Sequence, residues 1–152
     1  MLDDAPLESC DAIVHRLYES PEVLKAVRLR FGDGIFDGET LNRRSLGKLV
    51  FDSNENRAWL EDLIHPLVLK TAENWLDGQK SAKFAIVEVP LLYEVDFPMK
   101  RDIDVVVACS PETQRLRLNE RDQLDPDQAK ARIAAQLPIT CLLYTSPSPR
   151  DL

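Results

Sequence analysis

Glycine is scarce in this chain, five residues in 152, and no stretch fits G-x-x-x-x-G-K-[ST]. A glycine-rich turn whose backbone N–H groups wrap a string of phosphates is therefore not encoded. Long hydrophobic runs are missing too. None approaches the roughly 20 residues needed to cross a bilayer, and no signal-peptide pattern opens the chain. A cytosolic protein with no membrane partner is the expectation. Cysteine is rare and scattered: Cys10, Cys109 and Cys141 form no C-x-x-C, and His15 and His65 are too dispersed to complete a zinc pattern. No metal site is expected from these residues. Cys10 and Cys109 read as buried free thiols, since free cysteine packs as a small hydrophobe. Basic charge is not in excess either. The formal net charge of −7 argues against a sequence-independent nucleic-acid binder. It leaves room for a nucleotide, because one phosphate cluster needs only a few local cations.

What is present is the balance of a globular domain, 44% hydrophobic and 30% charged residues. The most apolar stretch, Phe84 to Val89, reads as a buried parallel strand ending at Pro90-Leu91-Leu92-Tyr93-Glu94. In α/β enzymes ligands bind beyond such carboxyl ends. Pro6 to Ser9 suggests a short strand, with Ser9 as N-cap of a helix from Cys10 to about Glu19. Ser20-Pro21 is a cap followed by proline at the first helical position, and Gly32 to Gly34 ends the helix it opens. Phe36 to Glu39 reads as a turn, Arg43 to Phe51 as a short helix. Ser53 caps a long helix whose apolar residues, from Trp59 to Trp75, recur with a period near 3.6. Pro66 predicts a kink at His65. Ile103 to Ala108 reads as a second buried strand, followed by helices opening at Ser110-Pro111 and Asp125-Pro126. Strands separated by helices mean α/β with a parallel sheet.

The end of the chain breaks this pattern. Cys141 to Asp151 has no periodicity and resembles the in-frame translation of a transposase-based sequencing adapter. Residues 141–152 are thus expected to be an assembly artefact without structure, and residues 1–140 to be the domain.

Three features point to phosphate chemistry, and each also has a purely structural reading. Arg117 and Arg121 stand four apart on one helix, where two guanidinium groups can converge on a ligand or join a solvated ion-paired face. Asp11, at a strand end and in the first turn of a helix, suits a general base or a partner of the helix dipole. His65, in an amphipathic helix, suits a ligand contact or packing.

In combination the blocks are more informative. Cys10-Asp11-Ala12-Ile13-Val14-His15-Arg16-Leu17, Arg43-x-x-Leu46 with Val50-Phe51, Ile64-His65-Pro66-Leu67-Val68, Val89-Pro90-Leu91-Leu92-Tyr93-Glu94, Arg117-x-x-x-Arg121-Asp122 and Ala131 to Gln136 together resemble the dephospho-CoA kinases. The resemblance implies a phosphate-loop-kinase-like parallel sheet with flanking helices. It also implies ATP-dependent phosphorylation of the ribose 3′-hydroxyl of dephospho-CoA, with ATP and Mg²⁺ as cofactors. On this likeness Asp11 matches the base for that hydroxyl. Arg43, His65, Pro90, Leu91, Leu92 and Glu94 would line the dephospho-CoA side, and Arg117 and Arg121 would sit at a lid over the transferred phosphate.

The chain departs from the family pattern at both ends. The strand and phosphate loop that open the family are not in the sequence, and the usual second aspartate is Ser9. The expected sheet is incomplete, with its first and last strands missing and the strand at 84–89 beside a missing central one. Such a fragment is expected to be inactive and to fold poorly alone. Two other readings remain open. One is a different phosphate-loop kinase acting on a nucleotide or small alcohol; the other is a non-catalytic binding module.

Overall fold

A parallel pair joins two strands separated by most of the first half of the chain. In the computed structural model, which describes residues 5–93, 97–122, 125–134, 136–137 and 141–142, β1 (Leu7–Ser9) runs parallel to β4 (Ile86–Glu88). Leu7 faces Ile86, Glu8 faces Val87 and Ser9 faces Glu88. A parallel pair needs a long crossover. Here it holds four helices and a small hairpin, so the fold is α/β, as the alternation of apolar runs and capped helices predicts.

The crossover follows its local signals. α1 (Cys10–Leu17) starts directly from β1, with Ser9 in extended conformation at its N-cap but making no side-chain cap bond. α2 (Pro21–Phe31) has its proline at the first position, and the Ser20 hydroxyl accepts from the Val23 N–H. Gly32, at φ 76° and ψ −177°, stops it in a region open essentially to glycine alone. A 3-10 turn (Asp33–Ile35) leads into the antiparallel hairpin of β2 (Phe36–Asp37) and β3 (Thr40–Leu41). α3 (Arg43–Phe51) and α4 (Asn54–Asp77) follow.

α4 runs across Pro66 without a break. Proline there removes the N–H that would bond the Asp62 carbonyl. Asp62 and Pro66 are both exposed, so water can donate to that carbonyl in place of the missing N–H. The opposite side carries Leu60, Ile64, Val68 and Ala72, all buried, at a spacing of four. α4 packs against both α1 and α3. Ile13 of α1 and Val23 and Val27 of α2 are wholly enclosed. Burial of side chains of this size contributes about 1.5–3 kcal/mol each.

Two expectations need correction. The strand expected over 84–89 is confined to 86–88, because β1 offers only three partners; Phe84 remains half exposed. The strand expected over 103–108 does not form. A strand is a paired object, and among the described residues these have no ladder partner. Val105 and Val107 are 81% and 90% exposed.

The chain divides into two compact units, Met1–Pro90 and Leu91–Leu152. The second contains α5 (Pro111–Asp122) and α6 (Pro126–Ala134), which pack on each other. Ser110 caps α5 by accepting from the Thr113 N–H at 3.2 Å. Asp125 and Gln128 exchange bonds at the start of α6: Asp125 Oδ1 accepts from the Gln128 N–H, and Gln128 Oε1 from the Asp125 N–H. Residues 143–152, most of the expected artefact, lie outside the described residues.

Candidate functional site

In the first unit the polar groups gather where β1 gives way to α1. Asp11 is the second residue of α1, exposed, and neither hydrogen-bonded nor ion-paired to any described residue. A carboxylate left open at a strand's carboxyl end can accept a proton from a bound hydroxyl. Its neighbour Cys10 is buried, and the thiol is pushed up from 9.0 to about 11. Burial is the main cause; the carboxylates of Asp11, Glu8 and Glu88 add to it. Cys10 thus reports a concentration of negative charge at this end of the parallel pair. Glu8 is itself tied down by Arg16 at 2.5 Å. Cys109, expected to be buried like Cys10, is only half-buried.

Arg43 opens α3. Asn42 fixes that opening: its Oδ1 accepts from the Ser45 N–H at 3.1 Å, and its Nδ2 donates to Asp37 of the hairpin at 3.0 Å. A cation in the first turn of a helix opposes the dipole, so this arginine is not placed for helix stability. It reaches back to α1 instead. Nη1 lies 2.6 Å from His15 Nδ1, and Nη2 donates to the His15 carbonyl at 3.2 Å. Glu19 is an ion-pair partner at 3.5 Å, and the guanidinium carbon lies 5.8 Å from the centre of the Tyr18 ring. Arg43 borders a groove of about 210 Å³ with Tyr18, Glu19, Leu24, Glu39, Thr40 and Leu41. The Tyr18 hydroxyl is raised above its ordinary value by burial, an effect that Arg43 opposes.

His65 lies on the exposed side of α4, one residue past buried Ile64. Asp11, Arg43 and His65 therefore belong to three helices, two of which, α1 and α3, pack on the third. Among the described residues no hydrogen bond or ion pair joins Asp11 or His65 to Arg43. Pro90 is exposed two residues beyond β4.

In the second unit, Leu91 has φ 57°. That left-handed conformation costs a bulky residue on the order of 1–2 kcal/mol, and strain of this kind clusters at functional loops. The Tyr93 hydroxyl donates to Asp104 Oδ2 at 3.0 Å, and Arg101 Nε donates to Asp104 Oδ1 at 2.6 Å. Arg101 also holds the carbonyls of Phe97 and Met99. The loop that begins with Leu91 and Leu92 is anchored this way at Tyr93. Glu94 lies outside the described residues. Arg117 and Arg121 of α5 line one recess of about 470 Å³ with Leu118 and Glu120, as four-residue spacing on a helix allows.

Sequence reasoning missed His15, Asn42 and Asp104. Asn42 had a local signal, an amide just before a helix. Asp104 had one as well, its three-residue spacing from Arg101, but its bond to Tyr93 had none. His15 acts through a partner 28 positions away, which no spacing rule reveals.

A family model described as dephospho-CoA kinase matches residues 5–142. A dephospho-CoA kinase of Prochlorococcus marinus is 38% identical over 115 residues, which is 72% of this chain and 55% of that protein. One of Rhodopseudomonas palustris is 35% identical over 135 residues, covering 88% of this chain and 67% of the relative. The chain thus spans between about half and two thirds of the length of these relatives. Among solved structures, that of TT1252 from Thermus thermophilus superposes with a TM-score of 0.80 at 27% identity, covering 94% of this chain and 73% of the other. The dephospho-CoA kinase of Campylobacter jejuni gives 0.60 at 25% identity with the same coverage.

Proposed function

The chain belongs to the dephospho-CoA kinase family, and from that premise we propose that it carries the acceptor-substrate part of an ATP-dependent kinase acting on the ribose 3′-hydroxyl of dephospho-CoA. The match across residues 5–142 carries this reading, because it takes in Asp11, Arg43, His65, the Pro90 loop and the arginines of α5 together. In this reading Asp11 takes the hydroxyl proton as the 3′-oxygen forms its new bond to phosphorus. The terminal P–O bond of the donor breaks and ADP leaves. Arg43, His65, Pro90, Leu91, Leu92 and Glu94 bind the acceptor, while Arg117 and Arg121 supply positive charge to the transferred phosphoryl group. The setting is cytosolic; no helix among the described residues is long and apolar enough to cross a membrane.

Mg²⁺ neutralises phosphate charge in such reactions when bound. Among the described residues no three His, Cys, Asp or Glu side chains gather into a cation site, and no glycine lies in the turn from β1 to α1. These residues do not fit a magnesium–triphosphate cradle.

Calorimetric titration of the chain with dephospho-CoA and with coenzyme A tests the reading. Coenzyme A carries a 3′-phosphate where dephospho-CoA carries the hydroxyl, so the Asp11 carboxylate repels it. Dephospho-CoA is expected to bind more tightly, and Asp11→Asn to narrow the difference by about tenfold, the effect of ~1.4 kcal/mol of relieved repulsion. Absence of saturable dephospho-CoA binding overturns the proposal. Equal binding of AMP and dephospho-CoA would favour a kinase of another nucleotide.

A further inference from the structure

We propose that His15 is a positioning residue that holds the Arg43 guanidinium at the edge of its groove through an unprotonated Nδ1. The inference deepens the reading of Arg43 as an acceptor-binding residue and rests on it. A guanidinium has five donors and no acceptor. The 2.6 Å contact between Arg43 Nη1 and His15 Nδ1 therefore has one consistent form: Nη1–H donates, Nδ1 accepts, and the imidazole proton sits on Nε2. The His15 carbonyl takes a second donor, from Nη2 at 3.2 Å. One residue of α1 thus engages both terminal nitrogens of an arginine 28 positions later, which fixes the plane of the fork as well as its place. Tyr18 and Glu19, three and four residues after His15, flank the same guanidinium.

The chemistry of the acceptor matters. A carboxylate at that distance would orient Arg43 but cancel its charge. The one carboxylate paired with it, Glu19, stands at 3.5 Å with its side chain 77% exposed, a weak and screened arrangement. A neutral imidazole and a backbone carbonyl orient the fork while leaving its positive charge for an anionic group of the ligand. Two residues are thus needed at this corner of the site, one bearing charge and one neutral.

The test uses the full chain and four variants: His15→Leu, His15→Asn, Arg43→Ala and the double variant of Arg43→Ala with His15→Leu. In wild-type protein, ¹⁵N spectra of the imidazoles should show His15 with its proton on Nε2. The Arg43 guanidinium protons should exchange slowly, and faster in His15→Leu. In titrations with dephospho-CoA, His15→Leu is expected to bind about tenfold more weakly with an unchanged Tm, because His15 is exposed. His15→Asn, whose Oδ1 stands near the place of Nδ1, should restore affinity to within about twofold of wild type. In an Arg43→Ala background His15→Leu should have no effect. A proton on Nδ1, or wild-type affinity in His15→Leu, overturns the inference. Failure of the wild-type chain to bind dephospho-CoA would instead overturn the functional reading, and the tautomer and the exchange of Arg43 would still decide whether His15 holds the arginine.

Discussion

Cys10 shows how far one residue's chemistry depends on where the chain turns. It leads α1 from the end of β1, its side chain is buried, and three carboxylates surround it. Both effects disfavour the thiolate. A thiol raised from 9.0 to about 11 keeps its proton in the folded chain over a range where the unfolded chain has lost it. Its contribution to stability is therefore complete below about pH 9 and is lost as pH rises toward 11. The expected outcome at pH 8 is that iodoacetamide labels exposed Cys141 well before Cys10, with Cys10 labelled in step with unfolding as pH increases. Peptide mapping by mass spectrometry reads this directly. Rapid labelling of Cys10 at pH 8 in protein that remains folded would show that the pocket does not protect it.

At the scale of elements, starts and stops follow from local chemistry, and pairings do not. Ser20-Pro21, Ser53 and Ser110-Pro111 each open a helix where a cap is expected, and Gly32 ends one. The buried stripe of α4 follows from its periodicity because one helix face sees one environment. The bounds of β4 depend on a partner 79 positions upstream, and an apolar run carries no record of how long that partner is. The same limit applies to the site. Asp11, Arg43 and His65 are legible as blocks in order, whereas the contact of Arg43 with His15 and the grip of Asp104 on Tyr93 arise only on folding. Asn42 stands between these cases: its cap is local, its bond to Asp37 joins α3 to the hairpin. Replacing it with alanine removes both, at a cost of about 1 kcal/mol for the cap alone. Asn42→Ala should lower the urea midpoint accordingly and, by loosening the first turn of α3, weaken dephospho-CoA binding through Arg43. Asn42→Asp, which keeps the cap acceptor but faces Asp37 with like charge, should recover less than the full loss. An unchanged midpoint in Asn42→Ala would mean that the cap carries no stability.

For the molecule as a whole, the run from Ile103 to Ala108 has the composition of a buried strand and the exposure of a loop. Ile103, Val105 and Val107 are 63%, 81% and 90% exposed, on alternate positions, so one apolar edge faces outward. Asp104 points elsewhere, held by Arg101 and Tyr93 with its side chain only 15% exposed. A β-prone segment in this state has backbone donors and acceptors open to another strand. With high β-propensity and no proline among residues 103–108, it is the segment best suited to pair between copies. The net charge of −7 opposes close approach, and salt screens that repulsion beyond about 10 Å at 0.1 M. Association should therefore rise with ionic strength as well as with protein concentration. Val105→Lys and Val107→Lys place a charge on the outward edge while sparing Asp104 and its partners. Each is expected to raise the concentration at which light scattering begins at 0.3 M salt, and the double variant to raise it further, with little change in the thermal midpoint, because neither side chain is buried. Scattering that starts at the same concentration in the double variant would place the sticky surface elsewhere, with the 60% exposed Leu7 of β1 and the half-exposed Phe84 just before β4 as the next edge to charge.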